Sequence, residues 1–237
     1  MKKYELTSET KVINGVKLHR IKALKSFGCV EKGELGGWIE SEKNLSQRGD
    51  AWVYGNAKVF NNVTVCGDAK VGGNAKVGGN ATVFENATVL GNAKVGGNAW
   101  VGDNATVFGN ATVCGNATVC GYATVCGNAK VGENATIRGN ATVGGNATVC
   151  GNANVRGDAT INEDANVRGN ADFIVFKNWW SSGRYFTWTR SNNKWKVGCF
   201  YGSGEELIAK AYKDSEKSGR EYERVVKYVE SILKEEK

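Results

Sequence analysis

Every sixth residue from Val53 to Phe173 is Val, Ile or, at the last position, Phe, giving 21 such positions with no insertion or deletion between them. Two residues before each stands Ala, replaced once by Val63, and the residue before that is Asn or Asp everywhere from Asp50 to Asn170 except at Tyr122. Glycine usually comes just ahead. A strict period of this kind constrains the chain more than any other feature it has, because each unit must repeat one local conformation. Ala and Val two apart point to one face of an extended segment, with the Thr or Lys between them pointing out. Gly and Asn tolerate positive φ, so each Gly-Asn pair reads as a corner. Short flats joined by regular corners wind into a solenoid in which each coil buries its neighbour's apolar face.

Composition agrees with a folded, mostly β chain. Of 237 residues 41% are hydrophobic, which argues against disorder, and the 32 glycines lack the period of three that collagen needs. No run of about 18 apolar residues is present, so no membrane span is expected, and the opening Lys2-Lys3-Tyr4-Glu5 leads into no apolar signal core.

Segments such as Val131-Gly132-Glu133-Asn134-Ala135-Thr136 resemble the hexapeptide repeat of left-handed parallel β-helix proteins. The resemblance implies a left hand and a triangular coil of three hexads. Residues 50–173 then make about seven coils, a prism roughly 33 Å long at ordinary strand spacing. The stretch from Gly36-Gly37-Trp38-Ile39 through Leu45 to Val53, and the tail from Phe176 to Tyr222, are similar to bacterial and prophage proteins that carry a hexapeptide-transferase label.

Three segments follow. Residues 1–48 form an N-terminal β cap, with a hairpin at Lys11–Leu18 turning on Asn14-Gly15 and with Trp38, Ile39 and Leu45 as the plug of the open end. Residues 49–173 are the solenoid. Residues 174–237 make an α+β module. In it, strand-like runs 184–190 and 194–200 join at 191–193, a helix opens at Gly204, and an amphipathic helix starts near Gly219 with Tyr222, Val225, Val226, Val229, Ile232 and Leu233 on one stripe.

The net charge of +7 is uneven: the first segment carries 10 basic and 6 acidic residues, the repeat 8 and 9, and the tail 13 and 9. A repeat without net positive charge argues against a duplex-DNA footprint. Winding at three hexads per coil stacks positions 58, 76, 94, 112, 130 and 148 as Lys, Lys, Lys, Thr, Lys, Thr. Lys58, Lys76, Lys94 and Lys130 form a basic ladder beside a column of mostly tiny residues, and an anion or acidic partner relieves their repulsion. A solvated lysine face that discourages aggregation is the alternative. In the tail, Trp179, Trp180, Trp188, Arg184 and Arg190 are a candidate surface for stacking and pairing with nucleotides or acidic peptide; the plainer reading is that the same aromatics form the core of a small domain.

Other readings are weaker. Thr88, Thr106, Thr124, Thr142 and Thr160 stack, but the companion column of Leu90, Phe108, Cys126, Gly144 and Asn162 is no second ordered rank of the kind ice binding needs. Cys114, Cys120 and Cys126 fall on three faces, and Cys114 and Cys150 lie two coils apart, beyond disulfide reach. No thiolate metal site is expected, and the thiols suit a reducing cytoplasm.

The resemblance also implies acyl-coenzyme A transfer between trimerised prisms, with a histidine as general base. Here the repeat has no histidine and no interrupting loop, and His19 lies in the N-terminal hairpin. Glu85, Glu133 or Glu163 would have to substitute from a corner position. The expectation is therefore a non-catalytic binding or assembly protein without a cofactor. It is phage- or prophage-related, trimeric and cytoplasmic, and holds a protein partner or a small anionic ligand; an acyltransferase and a purely structural phage component are the alternatives. Outward Tyr54, Phe60, Phe84, Leu90, Trp100 and Phe108 supply a subunit contact.

Overall fold

The computed structural model describes residues 2–180 and 182–235; Met1, Ser181, Glu236 and Lys237 lie outside that description. Strands β1 (Tyr4–Ile13), β2 (Val16–Ala23) and β3 (Leu35–Ile39) lead into a run of two-residue strands every six residues, from β4 (Trp52–Val53) to β23 (Asn166–Val167). The run winds as a parallel β-solenoid of about seven turns, in which each flat pairs with the flat three hexads further on, as in Lys58↔Lys76 and Val59↔Val77. Three parallel sheets result. The first face carries β4, β7 and every third strand to β22; the second carries β5 to β23; the third carries β6 to β21. The Ala and Val of each flat fill the interior, from Ala51 to Val167 at no more than 2% exposure.

The corners divide their labour differently from the sequence expectation. The positive φ falls on the glycine position, as at Gly97 (φ 65°), where a Cβ would stand 2.6 Å from the Gly115 carbonyl oxygen of the next coil. The following asparagine instead links coils through its amide. Asn62 Nδ2 donates to Asn80 Oδ1 (3.0 Å), and the chain of bonds runs on through Asn98, Asn116 and Asn134 to Asn152. A second ladder runs from Asn74 to Asp164. At three positions where glycine is replaced, the side chain accepts an N–H from the adjacent coil: Asn61 Oδ1 takes that of Gly79 (3.3 Å). Asp103 Oδ2 takes that of Gly121 (2.7 Å) and Glu133 Oε2 that of Gly151 (2.9 Å).

A parallel solenoid ends in unpaired carbonyls at one end and unpaired N–H groups at the other, and each must find a partner. The N-terminal cap supplies donors. Trp38 N pairs with Ala57 O (2.9 Å), Asn44 Nδ2 reaches Asn61 O (2.8 Å) and Val63 O (3.1 Å), and the buried Lys3 Nζ reaches Ala51 O (2.8 Å) and Gly49 O (3.2 Å). The C-terminal end supplies acceptors. Asn170 Oδ1, Thr187 Oγ1, Ser191 Oγ and Asp172 Oδ2 take the N–H groups of Asn154, Thr160, Asn166 and Arg168 at 2.9, 3.0, 2.7 and 2.7 Å. Ile39 and Leu45 sit in the plug; Trp38 shares the outward register of Lys58 on the second face, and Trp52, in register with Lys70 on the first face, is buried edge-on against Tyr4 and Phe27 of the cap.

The last hexad does not form a coil strand; residues 170–172 make a 3-10 turn and Phe173 opens β24 (Phe173–Lys177). β24, β25 (Tyr185–Thr189), β26 (Lys194–Val197) and β27 (Phe200–Gly202) form one antiparallel sheet, two strands more than the hairpin legible in the sequence. Helix α1 (Gly204–Asp214), capped by Ser203, and helix α2 (Glu216–Glu235) cover it, burying Leu207, Val226 and Val229 against Phe186, Trp188 and Trp195.

Candidate anion-binding face

The second face collects the lysines because its outward position recurs at every third hexad. Lys58 pairs with Lys76, Lys76 with Lys94, Lys94 with Thr112, Thr112 with Lys130, and Lys130 with Thr148. Neighbouring side chains therefore leave the sheet about 4.8 Å apart. None of the four lysines has an ion pair among the described residues. Lys58, half-buried, donates to Asn56 O (2.8 Å), and burial, with Lys11 and Lys76 nearby, holds its ammonium below the usual lysine range. Glu40, two residues beyond Trp38, is engaged by the Asn61 N–H (2.6 Å).

The column continues beyond the repeat. The same sheet runs on through β3, β2 and β1. Trp38 pairs with Lys58, and Lys11 Nζ lies 3.8 Å from the Trp38 ring centroid with Arg20 Cζ at 5.3 Å. Arg20 also contacts Glu9 at 3.6 Å. Lys11 and Arg20 thus join the four lysines, and sequence reasoning missed them. An antiparallel hairpin has no six-residue phase that would place them.

A shallow groove of about 330 Å³ runs beside Lys76 and Lys94, over Gly78 and Gly96, between Phe60 and Cys114. The Phe60 ring covers Gly78, while Gly96 is open.

The aromatic and basic residues of the tail do not gather into one surface. Trp188 is 1% exposed, its Nε1 donating to Asn193 Oδ1 (2.9 Å), and it belongs to the core rather than to a ligand surface. β25 is buried on both sides, by the helices at Phe186 and Trp188 and by the solenoid end at Thr187, so Phe186 and Trp188 are interior. Trp180 is half-buried against Phe186 and Tyr222. Trp179 is 79% exposed, Arg190 Nε donates to Ala171 O (3.1 Å), and Arg184 lines a separate cavity.

His19 Nδ1 lies 3.4 Å from Thr7 O on the N-terminal hairpin. Glu85 is hydrogen-bonded to Asp103, which raises its pKa, and Glu133 is tied to the Gly151 N–H. Burial pushes the thiols of Cys66, Cys120 and Cys126 up, the opposite of what a nucleophilic thiolate requires. Among the described residues no three His, Cys, Asp or Glu side chains are placed to hold a metal, and no helix is long and apolar enough to cross a membrane. Of the outward apolar residues, Trp100, Phe108 and Leu90 are 55%, 41% and 39% exposed. Neither a protein-family model nor a curated protein matches the chain.

Proposed function

We propose that this chain is a non-catalytic binding protein of the hexapeptide-repeat, left-handed β-helix kind, bacterial or prophage in origin, whose second face holds an extended acidic partner. The observation that supports it is the row of cations along one sheet, Lys11 and Arg20 on one side of Trp38 and Lys58, Lys76 and Lys94 on the other, with Lys130 beyond. The span from Lys58 to Lys130 alone is four strand spacings, roughly 19 Å. A small anion touches two of these groups at once; an acidic polypeptide segment or acidic protein surface touches them all, and the four repeat lysines, which have no ion pair among the described residues, keep their charge for a partner. The chain works as a homotrimer in which Trp100, Leu90 and Phe108 are covered, and its seven unpaired cysteines suit a reducing cytoplasm.

The test is the affinity for fluorescein-labelled poly-glutamate, read by anisotropy at low salt. Lys76→Glu with Lys94→Glu lowers it about thirtyfold, the equivalent of about 2 kcal/mol, while the circular dichroism spectrum stays that of the wild type. Equal binding by the double variant contradicts the reading. So does inorganic triphosphate binding as tightly as the polymer, which assigns the face to a small anion.

A further inference from the structure

The C-terminal module contains a cavity of about 260 Å³, apart from the lysine face, between the β26–β27 turn and the two helices. Its volume is that of roughly nine water molecules, enough for a small organic molecule. The floor is apolar: Val197, Leu207 and Ala211 are 3%, 2% and 2% exposed, and the Phe200 ring completes it. The rim is charged. Arg184 crosses the left-handed Gly198, where a Cβ would stand 3.6 Å from Arg184 Cδ. Lys210 Nζ stands 5.7 Å from the Phe200 centroid on the α1 side. Asp214, in the last turn of α1, is the one carboxylate among the lining residues. None of these three groups has an ion pair among the described residues. Tyr222, which also lines the cavity, has its hydroxyl bonded to Asn178.

Two unpaired cations over an apolar floor match a molecule with one anionic end and a compact apolar body. We infer that this cavity binds a small amphipathic carboxylate, its body on Val197, Phe200, Leu207 and Ala211 and its carboxylate between Arg184 and Lys210. Asp214 repels a second negative charge, so a monoanion is preferred over a dianion. Exposed Cys199 sits at the mouth and reports occupancy.

The experiment measures alkylation of each cysteine by iodoacetamide, by peptide mass spectrometry of the full-length protein, with and without 3-phenylpropionate or octanoate at about 10 mM, well above a millimolar dissociation constant. Cys199 slows in the presence of the carboxylate, while Cys29 and Cys114, also exposed, keep their rates. Arg184→Gln weakens the protecting carboxylate about tenfold, and Asp214→Asn tightens it about threefold. Opposite signs at two rim residues separate ligand electrostatics from damage to the fold. Unchanged Cys199 reactivity with both probes, equal protection in Arg184→Gln, or weaker protection in Asp214→Asn overturns the proposal.

Discussion

Removing residues 142–147 leaves a folded protein, whereas removing only residues 142–144 destroys the lower end of the solenoid. The larger deletion takes out one complete hexad and joins Ala141 to Thr148, so the period of six and the three-hexad coil pass through the junction intact. Asn134 then faces Asp158 and Asn140 faces Asp164, so the amide ladders have partners as before. Each cap bonds only to its own end coil, so neither detects the loss. The smaller deletion shifts downstream pairing by half a hexad. An odd shift turns every side chain to the opposite face relative to its neighbour. Three valines and three alanines of one coil lose their buried position, worth about 6 kcal/mol or more in apolar burial alone. Thermal unfolding followed by circular dichroism checks the pair: the hexad deletion melts near the wild type, and the half-hexad deletion melts far below it or in two steps, with proteolysis beginning just after residue 141. Equal damage from both deletions contradicts the equivalence of the coils.

Lys3→Met destabilises the chain by about 2 kcal/mol at pH 7, and the deficit grows as the pH rises. The Lys3 ammonium is the donor for two carbonyls at the open N-terminal end, and its replacement leaves the buried Ala51 carbonyl without a partner and the exposed Gly49 carbonyl to solvent. Burial lowers the Lys3 pKa to about 8 against the partial opposition of Asp50. Between pH 8 and the unfolded-state value near 10.4 the unfolded chain therefore binds more protons than the folded one, and the stability contributed by Lys3 rises with pH through that window. The amine still donates hydrogen bonds when neutral. The gap between wild type and Lys3→Met therefore widens between pH 8 and pH 10.5, measured as the difference of two urea titrations so that other titrating groups cancel. A gap that stays constant or narrows above pH 8 contradicts the capping role.

The solenoid was legible because a period of six with no interruption leaves one conformation for every unit, and the three-hexad coil implied by the family resemblance then places the lysine column. What escaped has physical reasons. Lys11 and Arg20 reach the column through antiparallel pairing around Trp38, and no periodicity connects residues 11 and 20 to residue 58. The end caps rest on single side chains, Lys3 and Asn44 at one end and Thr187 and Ser191 at the other, whose identity as donors or acceptors matters more than any pattern. For Trp188 the sequence left a ligand surface and a domain core open; β25 lies between the helices and the last coil, which buries both its faces and makes Trp188 core. Asparagine was legible as a corner residue but not as the amide ladder, since the ladder exists only between coils.

The proposed role of the second face is tested most directly by the acetylation rate of each lysine in the wild-type protein, with and without saturating poly-glutamate, read by peptide mass spectrometry. Lys58, Lys76, Lys94 and Lys130 become protected together, with Lys11 at the head of the row, while Lys70 on the first face and Lys227 on α2 keep their rates. Protection spread evenly over all lysines, or absent from the column, contradicts the assignment of this face to an acidic partner.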